Sequence, residues 1–397
     1  MNFPENPART AAFERQKNLV GHKLAELDTP ALAVDAEAIN RNMQRMVEFA
    51  QRHNVRVRPH IGAHKNGDIA RLQQQAGAAG ICTHSLWEAE TMAARGLKDI
   101  LITGKIVGTG KLRRVAALAH QLASQGGKLA VTVDSVVGVE ALASAMTLTG
   151  RSVDVFIDID LGQRSGGVAV GEKLIETAQA ITAKASRMNF AGLNAYCARA
   201  QRLRSTTDRR TAVAEAARRI TLARELLREA EITVPLITGA GTGTFGQEVA
   251  SGLWGEVQAG SFVLMDADYL QNERDAAQPA FEPAVYLKAT VVSAHADYVI
   301  IDAGHQSHAM DASVPQVVTQ EGETVLIYED GGQGYGVLRA AAEEKGALPE
   351  VGATVWLIPG HCEATVNLHD LMYAFKGKLS DGTIEAVLRV DARGGIA

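Results

Sequence analysis

Short runs rich in β-branched residues alternate with long amphipathic stretches through the first two thirds of this chain, and that alternation constrains the fold more than any other feature. The runs fall at residues 31–34, 55–58, 80–83, 100–103, 129–133, 153–158, 190–195 and 235–238. Between them lie helical stretches such as 36–53, 85–95, 172–185 and 206–229. A strand buried on both faces reads as a continuous apolar run, while a crossover helix shows apolar positions three and four apart. Repeated strand–helix units of this kind predict an α/β fold, a closed (β/α)8 TIM barrel. After Tyr269 the pattern changes. Runs at 286–294, 298–301, 324–328, 354–358 and 383–390, joined by Gly-rich turns with little helix, predict an antiparallel β domain. The expected division is a barrel over 27–272 and a β domain built from 1–26 and 273–397. A chain of 397 residues exceeds the size at which one hydrophobic core stops growing, which suits this two-part reading.

Composition excludes several classes. Hydrophobic residues make up 46% and charged residues 21%, and the net charge is −5, with no basic run or aromatic–basic stripe of the kind that binds nucleic acid. No apolar stretch approaches the ~20 residues of a membrane span. The N-terminal segment lacks a basic region followed by an apolar one, so no secretory leader is expected. Three scattered cysteines do not make a disulfide framework. The expectation is a cytoplasmic enzyme acting on a small molecule.

In such barrels the chemistry sits at the C-terminal ends of the strands. The run at 55–58 leads into Arg58-Pro59-His60-Ile61-Gly62-Ala63-His64-Lys65. His60 and His64 alternate with small residues about Gly62, so both are expected to face the interior. His60 reads either as a catalytic group or as a core histidine held by a carbonyl. Lys105 follows the run at 100–103, with three readings open: a cation for a substrate carboxylate, an imine-forming amine, or a solvated loop lysine. The turn from Thr238 to Thr244 follows what counts as the eighth strand, where barrel phosphate sites commonly form. Its small residues Gly239, Gly241, Thr242 and Gly243 allow backbone N–H groups to converge on an anion, although Gly-rich turns also occur in ordinary loops. Cys82 lies within an apolar strand and is expected to be inert packing.

The order and spacing of several blocks resemble the D-threonine aldolase and D-serine dehydratase family. They are Arg58 to Lys65, Trp87-Glu88-Ala89-Glu90, Gly192-Leu193-Asn194-Ala195-Tyr196, Thr238 to Gly243, Ala259 to Tyr269, Asp302-Ala303-Gly304, and His361-Cys362-Glu363 with Asn367-Leu368-His369-Asp370. The resemblance covers most of the chain. It implies the fold shared with alanine racemase, pyridoxal phosphate (PLP), a divalent metal beside it and a homodimer. It also implies that the Gly-rich turn takes the PLP phosphate, that Asp266 and Tyr269 belong to the cofactor block, and that the Tyr196 ring lines the site. His361 and Glu363 would be the metal ligands, Glu363 being one methylene longer than the family's usual aspartate. Imidazole plus carboxylate suits Mn, Zn, Fe, Co or Ni.

The departures fall around one pocket. The family segment usually reads Arg-Pro-His-x-Lys-x-His-Lys, and its first lysine forms the Schiff base. Gly62 stands there and has no amine. Ser165 aligns with the arginine that approaches the pyridine nitrogen, with Arg164 one residue earlier. Cys197 replaces a histidine after Tyr196. Gly104-Lys105 replaces Asn-Glu, Ala240 interrupts three glycines, and Glu329-Asp330-Gly331-Gly332 lacks its histidine. His305 is new where the family usually has an uncharged residue, and His308 follows it. Such coordinated replacement points to divergence in chemistry. The expected activity is a metal-dependent carbon–carbon lyase of retro-aldol type on a small β-hydroxy compound, working without PLP. His361 and Glu363 would hold Mn, Zn or a similar ion, His305 or His308 would complete the shell, and a histidine would serve as base. Two alternatives stay open. One is a PLP-dependent β-hydroxy-D-amino-acid aldolase or dehydratase with its imine lysine lost by mutation or displaced to Lys105 or Lys65. The other is a non-catalytic ligand-binding homologue.

Overall fold

The computed structural model describes residues 13–14, 16–162, 166–319, 324–341 and 347–395. The strands in chain order are β1 (Ala31–Asp35), β2 (Arg56–Val57), β3 (Ile81–Thr83), β4 (Asp99–Ile102), β5 (Lys128–Val133), β6 (Val153–Asp158), β7 (Met188–Ala195), β8 (Ile237–Gly239) and β9 (Glu256–Val257). β2 to β9 form an eight-stranded parallel sheet in the order β2-β9-β8-β7-β6-β5-β4-β3. Its ends meet: Cys82 N–H donates to Pro59 O and Ala79 N–H to Val57 O, each at 2.8 Å. The sheet is therefore a TIM-like barrel.

One expected barrel strand belongs elsewhere. The run at 31–34 pairs antiparallel with β10 (Val285–Ala294), Leu32 opposite Leu287, and parallel with a β-domain strand at Leu371–Lys376, Val34 opposite Ala374. Ala31 to Val34 are all buried, and a run buried on both faces looks alike in either sheet. The eighth barrel strand is instead β9, two residues long and opened by a glutamate, so no apolar run announced it. The Gly-rich turn thus follows the seventh barrel strand in sequence, not the eighth.

The second sheet has nine strands. Besides β1 and β10 it contains β11 (Val299–Ile301), β12 (Gln316–Val317), β13 (Leu326–Asp330), β14 (Gly336–Ala340), β15 (Thr354–Ile358), β16 (Leu371–Lys376) and β17 (Thr383–Arg389). All its pairings but β1 with β16 are antiparallel.

The helix Ala36–His53 shows why the alternation was readable. Asp35 caps it, accepting from the N–H groups of Glu37 and Ala38 at 2.9 Å each. Asn54 ends it in the left-handed conformation at φ 51. Ile39, Met43, Met46 and Phe49 form the buried face between these ends. Among the described residues no helix is long and apolar enough to cross a membrane.

Candidate active site

A cavity of about 520 Å³ opens at the C-terminal ends of the barrel strands, and His60, Lys105, Tyr196, Thr242, His361 and Glu363 line it. His60 follows β2 and turns the chain, its Nδ1 accepting from Gly62 N–H at 3.1 Å. A Cβ at Gly62 would lie 2.5 Å from Glu363 Oε1 and 2.8 Å from His60 Nδ1. Glu363, in the first turn of the helix Cys362–Val366, therefore lays its carboxylate over Gly62. The side-chain volume that an imine lysine would use at this position holds the end of another residue. Burial pushes the His60 pKa below its ordinary value, although the carboxylates of Glu363 and Glu88 pull the other way.

Neither nearby lysine has an idle amine. Lys65 Nζ donates to Glu88 Oε1 at 2.7 Å, and both side chains are buried. Glu88 also accepts from the N–H groups of His84 and Ser85, completing the cap of the helix Leu86–Ala94, so Lys65 is part of the frame. Lys105 reaches the cavity and forms a short ion pair with Asp158, which in turn accepts from Asn194 Nδ2 at 2.6 Å.

The Gly-rich turn is packed against a side chain. Gln201 Oε1 accepts from Gly243 N–H at 2.9 Å, and its amide donates to Thr244 Oγ1 at 2.7 Å and Cys197 O at 3.1 Å. Any Cβ at Gly241 would collide with that amide, and one at Gly239 with Ala195 O. These glycines admit Gln201 and the neighbouring strand, while Gly241 and Thr242 line the cavity. Behind the turn, buried Glu248 accepts from Thr244 Oγ1 at 2.8 Å, and desolvation raises its pKa to about 8. Asp266 joins the barrel to the overhanging β-domain segment that carries His361 and Cys362, accepting from Tyr269 N–H and Cys362 N–H at 3.0 Å each. Tyr196 and Tyr269 line the mouth, and burial raises both phenol pKa values, so both rings keep their protons.

His361 sits between a carboxylate and a guanidinium. Its Nδ1 lies 2.8 Å from Asp311 Oδ2, and its Nε2 lies 3.2 Å from Arg202 Nη2. Arginine can only donate, so Nε2 accepts and the ring proton is on Nδ1. Arg202 is pinned by buried Asp268 through its Nε at 3.0 Å.

These contacts test the two groups the resemblance implies. A lysine-bound PLP does not fit at Gly62, because no amine is there and Glu363 fills the space. A divalent metal does not fit the donors as arranged. The nitrogen it would take already accepts from Arg202, and Glu363 is turned onto Gly62. Among the described residues no group of three or more His, Cys, Asp and Glu could hold a metal ion.

Other expected site residues lie apart from the mouth. His64 is buried, with Nδ1 accepting from Asn66 N–H at 3.1 Å and burial depressing its pKa to about 3. It faces the packing because the 3-10 turn Ile61–Ala63 breaks the alternation assumed for an extended strand. Cys197 is buried and its thiol pKa raised by desolvation. Exposed His305 pairs with Asp330 at 2.6 Å, whereas buried His308 meets the Tyr328 hydroxyl at 2.8 Å. Both belong to the β domain's own packing, and neither lines the cavity. Arg164 and Ser165 lie outside the described residues. Cys82 is buried, as expected of packing. Sequence reasoning missed Arg202, Asp311, Gln201 and Glu248, which carry no motif; only proximity in the fold joins them.

The comparisons with known proteins agree with this architecture. Residues 34–268 match the alanine racemase N-terminal domain, and residues 284–375 match a putative serine dehydratase domain. The chain thus has the alanine racemase-like fold, and its relatives define it as an aldolase-type lyase. It is 38% identical to the D-threonine aldolase of Arthrobacter sp over 376 residues, 94% of this chain and 95% of that one. A 3-hydroxy-D-aspartate aldolase of Paracoccus denitrificans (strain Pd 1222) is 31% identical over 382 residues, 95% of each. The crystal structure of D-threonine aldolase from Filomicrobium marinum superposes with a TM-score of 0.89 at 33% identity, covering 95% of this chain and 99% of that one. The chain belongs to the D-threonine aldolase family.

Proposed function

We propose that this enzyme breaks a carbon–carbon bond by retro-aldol cleavage of a small β-hydroxy compound, without a lysine-bound PLP. The observation that carries the reading is the Glu363 carboxylate seated over Gly62. Retro-aldol cleavage removes the β-hydroxyl proton, releases an aldehyde and leaves the bonding electrons on the α-carbon. With no imine to receive them, the substrate must carry its own sink, a carbonyl beside the α-carbon. Glu363 is the base, at the mouth and within reach of a bound hydroxyl. Lys105, fixed by Asp158, offers a cation to the enolate oxygen. Tyr196 and Tyr269, held as phenols, donate hydrogen bonds to the developing negative charge. The enolate then takes a proton from water, and Glu363 returns the proton it removed to the hydroxide left behind. A divalent cation on His361 and Glu363, expected from the resemblance, is not carried into this reading because Arg202 stands on His361. The reading includes a cytoplasmic homodimer, on family likeness alone.

Aldehyde release from β-hydroxy carbonyl compounds, followed with a coupled alcohol dehydrogenase, tests this. Glu363→Gln and Lys105→Met should each lower kcat about 100-fold or more. Full activity in both variants would refute it. Family membership and the position of Lys105 support a second reading, cleavage of a β-hydroxy-D-amino acid with PLP on Lys105. Borohydride reduction with PLP, followed by peptide mass spectrometry, separates the two: a reduced adduct on Lys105 selects the second.

A further inference from the structure

We infer that Arg202 takes the place of a metal at His361 and makes that end of the mouth a docking site for a carboxylate. The inference rests on the lyase reading only for what the docked acid undergoes, since the binding itself follows from geometry. Asp268, 1% exposed, faces two guanidinium groups, Arg202 through Nε at 3.0 Å and Arg204 through a shorter contact. Asp268 thus serves two guanidinium groups, and the Asp311 carboxylate stands beyond the His361 ring. The His361 ring accepts from Arg202 at Nε2 and spends its Nδ1 proton on Asp311, so it orients the guanidinium.

The guanidinium is held at two of its three nitrogens, at Nε by Asp268 and at Nη2 by His361, and it lines the cavity. Its remaining N–H groups have no partner among the described residues. A planar fork with fixed orientation suits a carboxylate, which it binds through two parallel hydrogen bonds. The same arrangement opposes a divalent ion. Such an ion would need the Nε2 lone pair and would lie against a fixed positive charge with two protein ligands at most. A solvated arginine is the ordinary alternative, but an arginine held only by water would not be fastened to a buried carboxylate and a histidine together.

The purified full-length protein is titrated calorimetrically with pyruvate, with its neutral methyl ester, and with Mn²⁺ or Zn²⁺. Elemental analysis follows after desalting. The wild type should bind pyruvate, bind the ester at least ten-fold more weakly, and retain no stoichiometric metal. Arg202→Ala should lose ten-fold or more in pyruvate affinity, Arg202→Lys should recover part of it, and circular dichroism should show both folded. Stoichiometric metal lost in His361→Ala, no pyruvate binding by the wild type, or unchanged affinity in Arg202→Ala would each overturn the inference. Because no arm reads turnover, the two claims separate. Arg202-dependent binding without cleavage defeats the lyase reading alone, and cleavage with affinity unchanged in Arg202→Ala defeats this one alone.

Discussion

At Gly62 a missing side chain and a neighbouring long one share a single volume. The 2.5 Å separation between a virtual Cβ there and Glu363 Oε1 means that even alanine must displace the carboxylate. The carboxylate end is flexible, so the cost should fall on chemistry more than on folding. Gly62→Ala is expected to lower kcat about ten-fold or more while shifting stability by about 1 kcal/mol, read by steady-state kinetics beside urea denaturation. Glu248 gives a residue-scale prediction of another kind. Its folded pKa is about 8 against an ordinary 4.5, because burial disfavours the charge. Between those values the unfolded chain ionises while the folded chain keeps its proton, so stability falls as pH rises through the window. The loss amounts to a few kcal/mol, at about 1.4 kcal/mol per pH unit. Glu248→Gln removes the titration. The variant's urea midpoint relative to wild type should therefore be more favourable at pH 8 than at pH 5. The importance of Gly62 was legible from one sequence because a glycine stood where the family has lysine. Its occupant was not, since Glu363 lies some three hundred residues away along the chain.

Among the elements, the Gly-rich turn and the loop after β7 work as one piece through Gln201. Gln201→Ala would leave Gly243 N–H, Thr244 Oγ1 and Cys197 O without that buried amide. A loss of about 2–4 kcal/mol is expected, measured by thermal or urea unfolding, with weakened ligand binding at the mouth. The helices Ala36–His53 and Thr206–Glu229 begin and end where the sequence reading placed them, since cap residues and a 3.6-residue period mark them locally. Strands β2 and β9 have two residues each and offer no period to read. The overhang carrying His361 is set by Asp266, which ties it to the barrel through Cys362 N–H. The resemblance places Asp266 in the cofactor block, and the structure shows its carboxylate accepting from Tyr269 N–H and Cys362 N–H.

For the molecule as a whole, a buried charge cluster lies at the seam where β9 pairs with β2. Fully buried Glu256 on β9 accepts from Arg58 Nε at 3.1 Å and from Arg56 Nε at 3.0 Å, joining the last barrel strand to the first. Glu256→Ala would leave Arg58 buried with Asp99 as its one counter-charge among the described residues. Removing one partner of a buried pair typically costs about 3–5 kcal/mol, and urea denaturation should show a loss of that size. Lys288 on β10 ties the N-terminal turn to the second sheet, its ammonium donating to the carbonyls of Leu24, Ala25 and Leu27 at 3.0, 2.9 and 2.6 Å. The sequence alone determined the barrel-plus-sheet architecture, most element positions, the family and the absence of an amine at Gly62, because period, caps and residue identity are local properties of the chain. Only the tertiary structure decided that β1 leaves the barrel, that His305 and His308 stand away from the mouth, and that Arg202 rests on His361. Those outcomes depend on which distant segments meet, and a contact between residues far apart in sequence leaves no periodic trace in either.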